Sequence, residues 1–232
     1  MQFSIITLFP EMFLGVFEYS IVARAVKEKR VKINLVNLRD FGKGPHKIVD
    51  DKPYGGGVGM ILRVDVLHKA IKATKTNKGV EKIVIMDARG EKYSQKHAEN
   101  FSEIDHLIII CGRYEGFDER IKEYADYSIS IGDFVLTGGE IPAMTIVDSV
   151  TRLIPKVLSK SEATSYESFS LTENGRVLEH PQYTRPEIYD RKKVPEILLS
   201  GHELKIKEFR KREAIEITGK QRPELISPKS VK

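Results

Sequence analysis

Leu107-Ile-Ile-Ile-Cys111-Gly-Arg-Tyr-Glu-Gly-Phe-Asp-Glu-Arg120 is the stretch that decides the fold. It opens on an unbroken apolar run, as in a strand covered on both faces, which is the environment of a parallel sheet. Glycine, arginine and glutamate then arrive together where such a strand ends. Ligands of open parallel sheets bind outside those carboxyl ends. Lys82-Ile-Val-Ile-Met86 repeats the pattern, with Asp87-Ala-Arg-Gly90 read as a turn directly after it.

Working outward, Phe3-Ser-Ile-Ile-Thr-Leu8 reads as a strand, and Val31-Lys-Ile-Asn-Leu-Val36 alternates like a half-buried one. Tyr127-Ser-Ile-Ser-Ile131 is a shorter strand. Between them lie helical segments: one opened by Pro10, one capped by Ser20 and running to Lys29, one over Val64 to Thr74, and one capped by Ser94. The stretch from Arg39 to Met60 has no periodicity. Glu140 to Ile154 is a helix whose Ile141, Met144, Ile146, Val147, Val150, Leu153 and Ile154 wrap most of its circumference. A helix apolar nearly all round is buried in a core or against another subunit. This alternation predicts an α/β fold, a mostly parallel sheet with helices on both faces.

The character changes at Pro155. The expected organisation is an α/β domain over 1–158, a linker over 159–172, and a small basic helical domain over 173–232 with a helix over His202 to Ile217. Residues 191–232 carry twelve Lys or Arg against six Asp or Glu, and the other 190 carry twenty-six against twenty-seven, so the net charges are +6 and −1. A near-neutral body with a basic tail reads either as a catalytic module joined to a phosphate-attracting element or as a solvated helix surface.

The composition also excludes. One cysteine, Cys111, allows no intrachain disulfide, which suits a reducing compartment. The N-terminus lacks the basic and apolar regions of a signal peptide, and no run nears eighteen apolar residues; a cytoplasmic protein without a membrane span is expected. There is no P-loop and no G-x-G-x-x-G after the first strand. The six histidines are scattered, so no zinc site and no metal ligand is expected.

What remains is glycine at strand ends: Asp50-Asp-Lys-Pro-Tyr-Gly-Gly-Gly-Val-Gly-Met60, residues 87–90, Cys111 to Arg120, and Ser130-Ile-Gly-Asp-Phe-Val-Leu-Thr-Gly-Gly-Glu140. Glycine lets the backbone approach a ligand closely. Three of these segments, with Pro181-Gln-Tyr-Thr-Arg-Pro186, Leu198-Leu-Ser-Gly201 and Arg222-Pro-Glu-Leu225, resemble the bacterial tRNA (guanine-N1)-methyltransferase family, TrmD, over essentially the whole chain.

The resemblance implies a SPOUT-class fold with a deep trefoil knot, which general topology rules would reject. It implies a homodimer sharing its active sites and transfer of a methyl group from S-adenosylmethionine to tRNA, at N1 of the guanine just 3′ of the anticodon. It implies a cofactor wall of Gly112, Ser130, Ile131, Gly132, Asp133, Phe134, Val135, Leu136, Gly138, Gly139 and Pro142. Glu115 and Arg113, with Gly57 and Gly59, fall on the substrate side. Glu167 stands where the family has a catalytic aspartate, and Phe134 where tyrosine is common; Arg152 matches the arginine that stabilises charge on guanine O6. Magnesium dependence is implied as well, without ligands. Related knotted enzymes acting on a ribose hydroxyl, and a non-enzymatic RNA-binding protein, are the competing readings.

Overall fold

Phe3, Ile5 and Ile6 have no exposed surface, because β1 (Gln2–Thr7) lies inside a sheet with helices on both sides. The computed structural model describes residues 1–159, 164, 166–173 and 175–226, and the chain divides into two units, residues 1–159 and 160–232. The expected linker therefore falls partly outside the described residues, as does the C-terminal end of the expected basic domain.

The first unit runs β1, α1 (Ser20–Lys27), β2 (Lys32–Asn37), β3 (Asp50–Asp51), β4 (Ile61–Leu62), α2 (Val64–Thr74), β5 (Glu81–Lys92), α3 (Gln95–Ser102), β6 (His106–Cys111), β7 (Tyr127–Ser130) and α4 (Glu140–Thr151). Its main sheet has the order β2-β1-β6-β5-β7, and every pair in it is parallel. Alternation along β1 sends Phe3 and Ile5 to one face, against α1, α3 and α4, and Ile6 to the other, against α2. β6 is buried at all six positions, as its unbroken apolar run requires. Each fully buried isoleucine there contributes roughly 1.5–3 kcal/mol relative to exposure.

Several local readings need correction. Residues 87–90 are not a turn after a strand. β5 continues through them for twelve residues, and its register against β7 shifts between Met86 and Glu91, which both face Ile129. The segment is a bulge, and a Cβ on Gly90 would lie 2.5 Å from the Ile129 nitrogen. Pro10 opens only a single 3-10 turn, Pro10–Phe13. Ser20 does not cap α1; Tyr19 holds the cap position and Ser20 sits at φ +59. Ser94 does cap α3, its N–H donating to the His97 ring at 3.2 Å. α4 stops at Thr151, short of Ile154, and leaves Ile141 about half exposed while Ala143, Ile146, Val147 and Val150 are buried.

The second unit has two small antiparallel pairs, β8 (Ser170–Thr172) with β9 (Gly175–Val177) and β10 (Ile188–Tyr189) with β11 (Lys192–Lys193). Two helices follow, α5 (Glu196–Leu199) and α6 (Glu203–Gln221). Strand pairing over Ser170–Thr172 replaces the irregular chain expected there. Thr218 of α6 is fully buried and accepts the Leu178 N–H at 2.8 Å, tying the helix to the end of β9.

Candidate active site

The β5 bulge and the carboxyl ends of β6 and β7 open onto a cavity of about 670 Å³, within the range of small-molecule sites. Its walls are residues 86–89, 112–117, 129–132 and 134–139, with Ile61, Glu119 and Pro142. β6 and β7 stop buried and reach glycine within two residues, at Gly112 and Gly132, so the chain can turn sharply with its backbone exposed to the cavity.

The glycines fit because neighbouring chain occupies the space of a side chain. A Cβ on Gly139 would lie 2.7 Å from Cys111 Cα, and the Gly139 N–H donates to the Gly112 carbonyl at 2.8 Å. A Cβ on Gly138 would meet Arg113 Nε at 2.4 Å and Glu140 Oε2 at 2.5 Å. One on Gly132 would meet the Phe134 ring at 2.4 Å. The loops after β6 and β7 are thus laid directly on one another.

A buried ion pair holds them. Arg113 Nε donates to Glu140 Oε2 at 3.0 Å, and its Nη1 donates to the Thr137 carbonyl at 3.1 Å. Thr7 Oγ1, at the end of β1, donates to Glu140 Oε1 at 2.9 Å. Glu140 is 1% exposed, so both of its oxygens need these partners. The Arg113 guanidinium also lies over the Phe9 ring at 4.6 Å.

The β5 bulge carries a second charged group. Asp87 accepts from the Arg89 N–H at 3.1 Å and pairs with Lys122 at 3.0 Å. Burial works against its charged form, but the Arg89 N–H and Lys122 outweigh burial and hold the carboxyl below its ordinary range. Burial, with Glu140 nearby, pushes the Cys111 thiol up, so it is a packed apolar group rather than a nucleophile.

On the far side of the turn, the Glu115 N–H donates to the Met60 carbonyl at 3.0 Å, and the Leu62 N–H to the Gly116 carbonyl at 2.9 Å. This seats the 50–60 loop beside Glu115. A Cβ on Gly59 would lie 2.5 Å from Glu115 Cγ, and Gly59 itself is at φ +87.

Of the expected cofactor wall, Gly112, Ser130, Ile131, Gly132, Phe134, Val135, Leu136, Gly138, Gly139 and Pro142 all line this cavity, joined by Arg113 and Glu115. Asp133 turns outward, 90% exposed at its side chain and paired with Lys92 at 2.9 Å. Gly57, at φ +133, has only Pro53 near its Cβ position, at 3.6 Å. Arg152 stands at the C-terminal end of α4, outside the lining. Glu167 belongs to the second unit, where its carbonyl accepts from Ser170 Oγ at 2.7 Å.

Sequence reading missed Thr7, Glu140 and Asp87. Thr7 carries no local signal, since its partner is 133 residues away. Glu140 had one, an acidic residue opening an otherwise apolar helix. Asp87 was in view but unassigned, because the bulge that buries it looks like a turn.

Among the described residues, no three His, Cys, Asp or Glu side chains are grouped to hold a metal ion. No described helix is long and apolar enough to cross a membrane.

The family model described as tRNA (Guanine-1)-methyltransferase TrmD matches residues 1–228. A tRNA (guanine-N(1)-)-methyltransferase of Clostridium botulinum strain Hall is 50% identical over 226 residues, covering 97% of this chain and 91% of that protein. Its namesake in Dictyoglomus turgidum is 46% identical over 231 residues, covering 100% and 92%. The one in Desulfitobacterium hafniense is 45% identical over 227 residues, covering 98% and 85%. With a parallel sheet ending in this glycine-walled cavity, and a match along nearly its whole length, the chain belongs to the tRNA (guanine-N1)-methyltransferase family, TrmD.

Proposed function

We propose that the protein methylates N1 of the guanine immediately 3′ of the anticodon in tRNA, position 37, with S-adenosylmethionine as donor. The observation that carries this reading is the cavity in which the β5 bulge meets the loops after β6 and β7, inside a chain matched by one family over residues 1–228. The residues present fit that cofactor: a wall of glycine backbone at 132, 138 and 139, with the exposed Phe134 ring and Leu136 for apolar contact. When bound, the cofactor supplies an electrophilic sulfonium methyl, so no covalent enzyme intermediate is needed.

The residues of the chain have to prepare the nucleophile. Guanine N1 carries a proton, and its loss places negative charge on O6. Glu167 is assigned as the general base that takes the N1 proton, and Arg152 as the cation facing O6. A guanidinium suits this task because its charge is permanent and its donors are paired in a plane. Glu115, held against Gly59, is assigned to the guanine N–H edge, with Arg113 and Gly57 beside it.

The proposal includes a flipped target base and anticodon-stem contacts from a basic domain over 173–232, joined by the segment 159–172 to a catalytic domain over 1–158. The laying of the 130–139 loop on the 111–112 loop supports a deep trefoil knot. Exposed apolar side chains at Leu14, Val16, Tyr19 and Ile141 support a homodimer with shared active sites. A tRNA substrate implies a cytoplasmic enzyme. Magnesium dependence is part of the reading, with no ligands assigned.

The test is methyl transfer from labelled cofactor into an unmodified tRNA transcript with guanine at that position, against an adenine-bearing control. Transfer into the control alone would overturn the reading. Glu167→Gln is expected to lower kcat by at least about 10²-fold, with S-adenosylhomocysteine affinity unchanged. Full turnover in that variant would place the base elsewhere.

A further inference from the structure

The 3-10 helix Glu119–Tyr124 borders two cavities. Glu119 at its start lines the one already described, while Glu123 and Tyr124 at its end line another, of about 490 Å³. The opposite wall is α2, which contributes His68 and Lys72, with Lys75 at its C-cap. The His68 and Tyr124 rings stack, 3.8 Å between centroids and 20° apart in plane. Tyr124 is 41% exposed, so the pair offers a flat aromatic face to the cavity.

The charges beside that face are uneven. Asp126 is satisfied, pairing with Lys82 at 2.7 Å and accepting the Ile83 N–H at 2.8 Å. Lys72, Lys75 and Glu123 form no ion pair among the described residues. Two lysines therefore face one free carboxylate. Both lysines line the cavity with His68, and burial first, then their charges, holds its imidazole below its ordinary value. Cations at the end of α2 would complement its dipole. That accounts for Lys72 and Lys75 but not for an exposed ring stack walling a cavity beside them.

We propose that this cavity binds a nucleotide unit, its base on the His68–Tyr124 face, its phosphate at Lys72 and Lys75, and Glu123 accepting from a base or ribose donor. An aromatic platform beside cations is how proteins hold unpaired nucleotides without reading sequence. The source is either a free nucleotide or an unpaired nucleotide of RNA, and the chemistry is the same. The inference does not depend on the methyl-transfer reading.

The probe is guanosine 5′-monophosphate, titrated calorimetrically into the full-length protein saturated with S-adenosylhomocysteine so that the first cavity is filled. One further equivalent should bind. Tyr124→Ala, and separately the Lys72→Glu and Lys75→Glu pair, should each raise its Kd at least about tenfold. Affinity for S-adenosylhomocysteine and Tm should stay unchanged. In the wild type, the His68 ring resonances should shift on titration, a readout that needs no variant. A parallel loss of tRNA affinity in both variants would identify RNA as the source, and unchanged tRNA affinity a free nucleotide. Absence of the further equivalent, unmoved His68 resonances, or equal affinity in the variants would overturn the proposal.

Discussion

Glu140 joins three parts of the chain that are distant in sequence. Its carboxylate takes Thr7 from the first strand and Arg113 from the turn after β6, while its own helix opens at the end of the glycine loop. Buried charges are costly alone and tolerable when paired, so removing one partner costs more than the pair itself contributes. Glu140→Ala should destabilise the first unit by about 3–5 kcal/mol, because Arg113 is then left without its counter-charge. It should also weaken cofactor binding, since Gly138 lies under that ion pair. Glu140→Gln keeps the Thr7 hydrogen bond and should cost less. Denaturant melts of the two variants check the ranking, and equal loss would show that shape rather than charge matters at this position. The glycines around the pair were readable from sequence because each motif is short and local. The pair was not, since nothing near Thr7 announces a partner on α4.

Strand β5 shows what periodicity can and cannot carry. Its apolar half, Ile83 to Met86, is legible as a covered strand, and burial at all four positions agrees. Its continuation through 87–92 is not, because a bulge borrows the glycine and charge of a turn. At the other end of the strand, Glu81 is bound by the Thr76 and Asn77 N–H groups, the Thr76 hydroxyl, and His106 at 2.6 Å. Burial alone would raise its pKa, and these donors outweigh burial, bringing it down to about 2. An unfolded glutamate titrates near ~4.3. The contribution is therefore complete above about pH 4.3 and is lost as pH falls towards 2. At ~1.36 kcal/mol per unit it amounts to about 3 kcal/mol. Glu81→Gln should lower Tm at neutral pH, and the gap from wild type should close between about pH 4.3 and 2. A gap that stays constant across that range would assign the effect to packing.

At the scale of the molecule, the charge does not divide where the structure does: residues 1–159 carry 23 Lys or Arg against 21 Asp or Glu, and residues 160–232 carry 15 against 12. Within the second unit the excess of cations is concentrated in residues 191–232, twelve against six, while residues 160–190 carry three against six. Alternating strands and helices made the first unit legible from sequence. The second was read only as basic and helical, because its two-residue strands are too short to leave a period. On α6, Lys211 pairs with Glu173 and Lys220 with Glu216, whereas Lys205, Lys207 and Arg210 are exposed and form no ion pair among the described residues. If that helix lies on the phosphates of the anticodon stem, each unpaired cation should release about one counterion on binding. Replacing all three with glutamine should then reduce the slope of log K against log salt by about 3. Cofactor affinity should not move. A solvated helix face would leave the slope unchanged, and tRNA binding measured across a salt series separates the two.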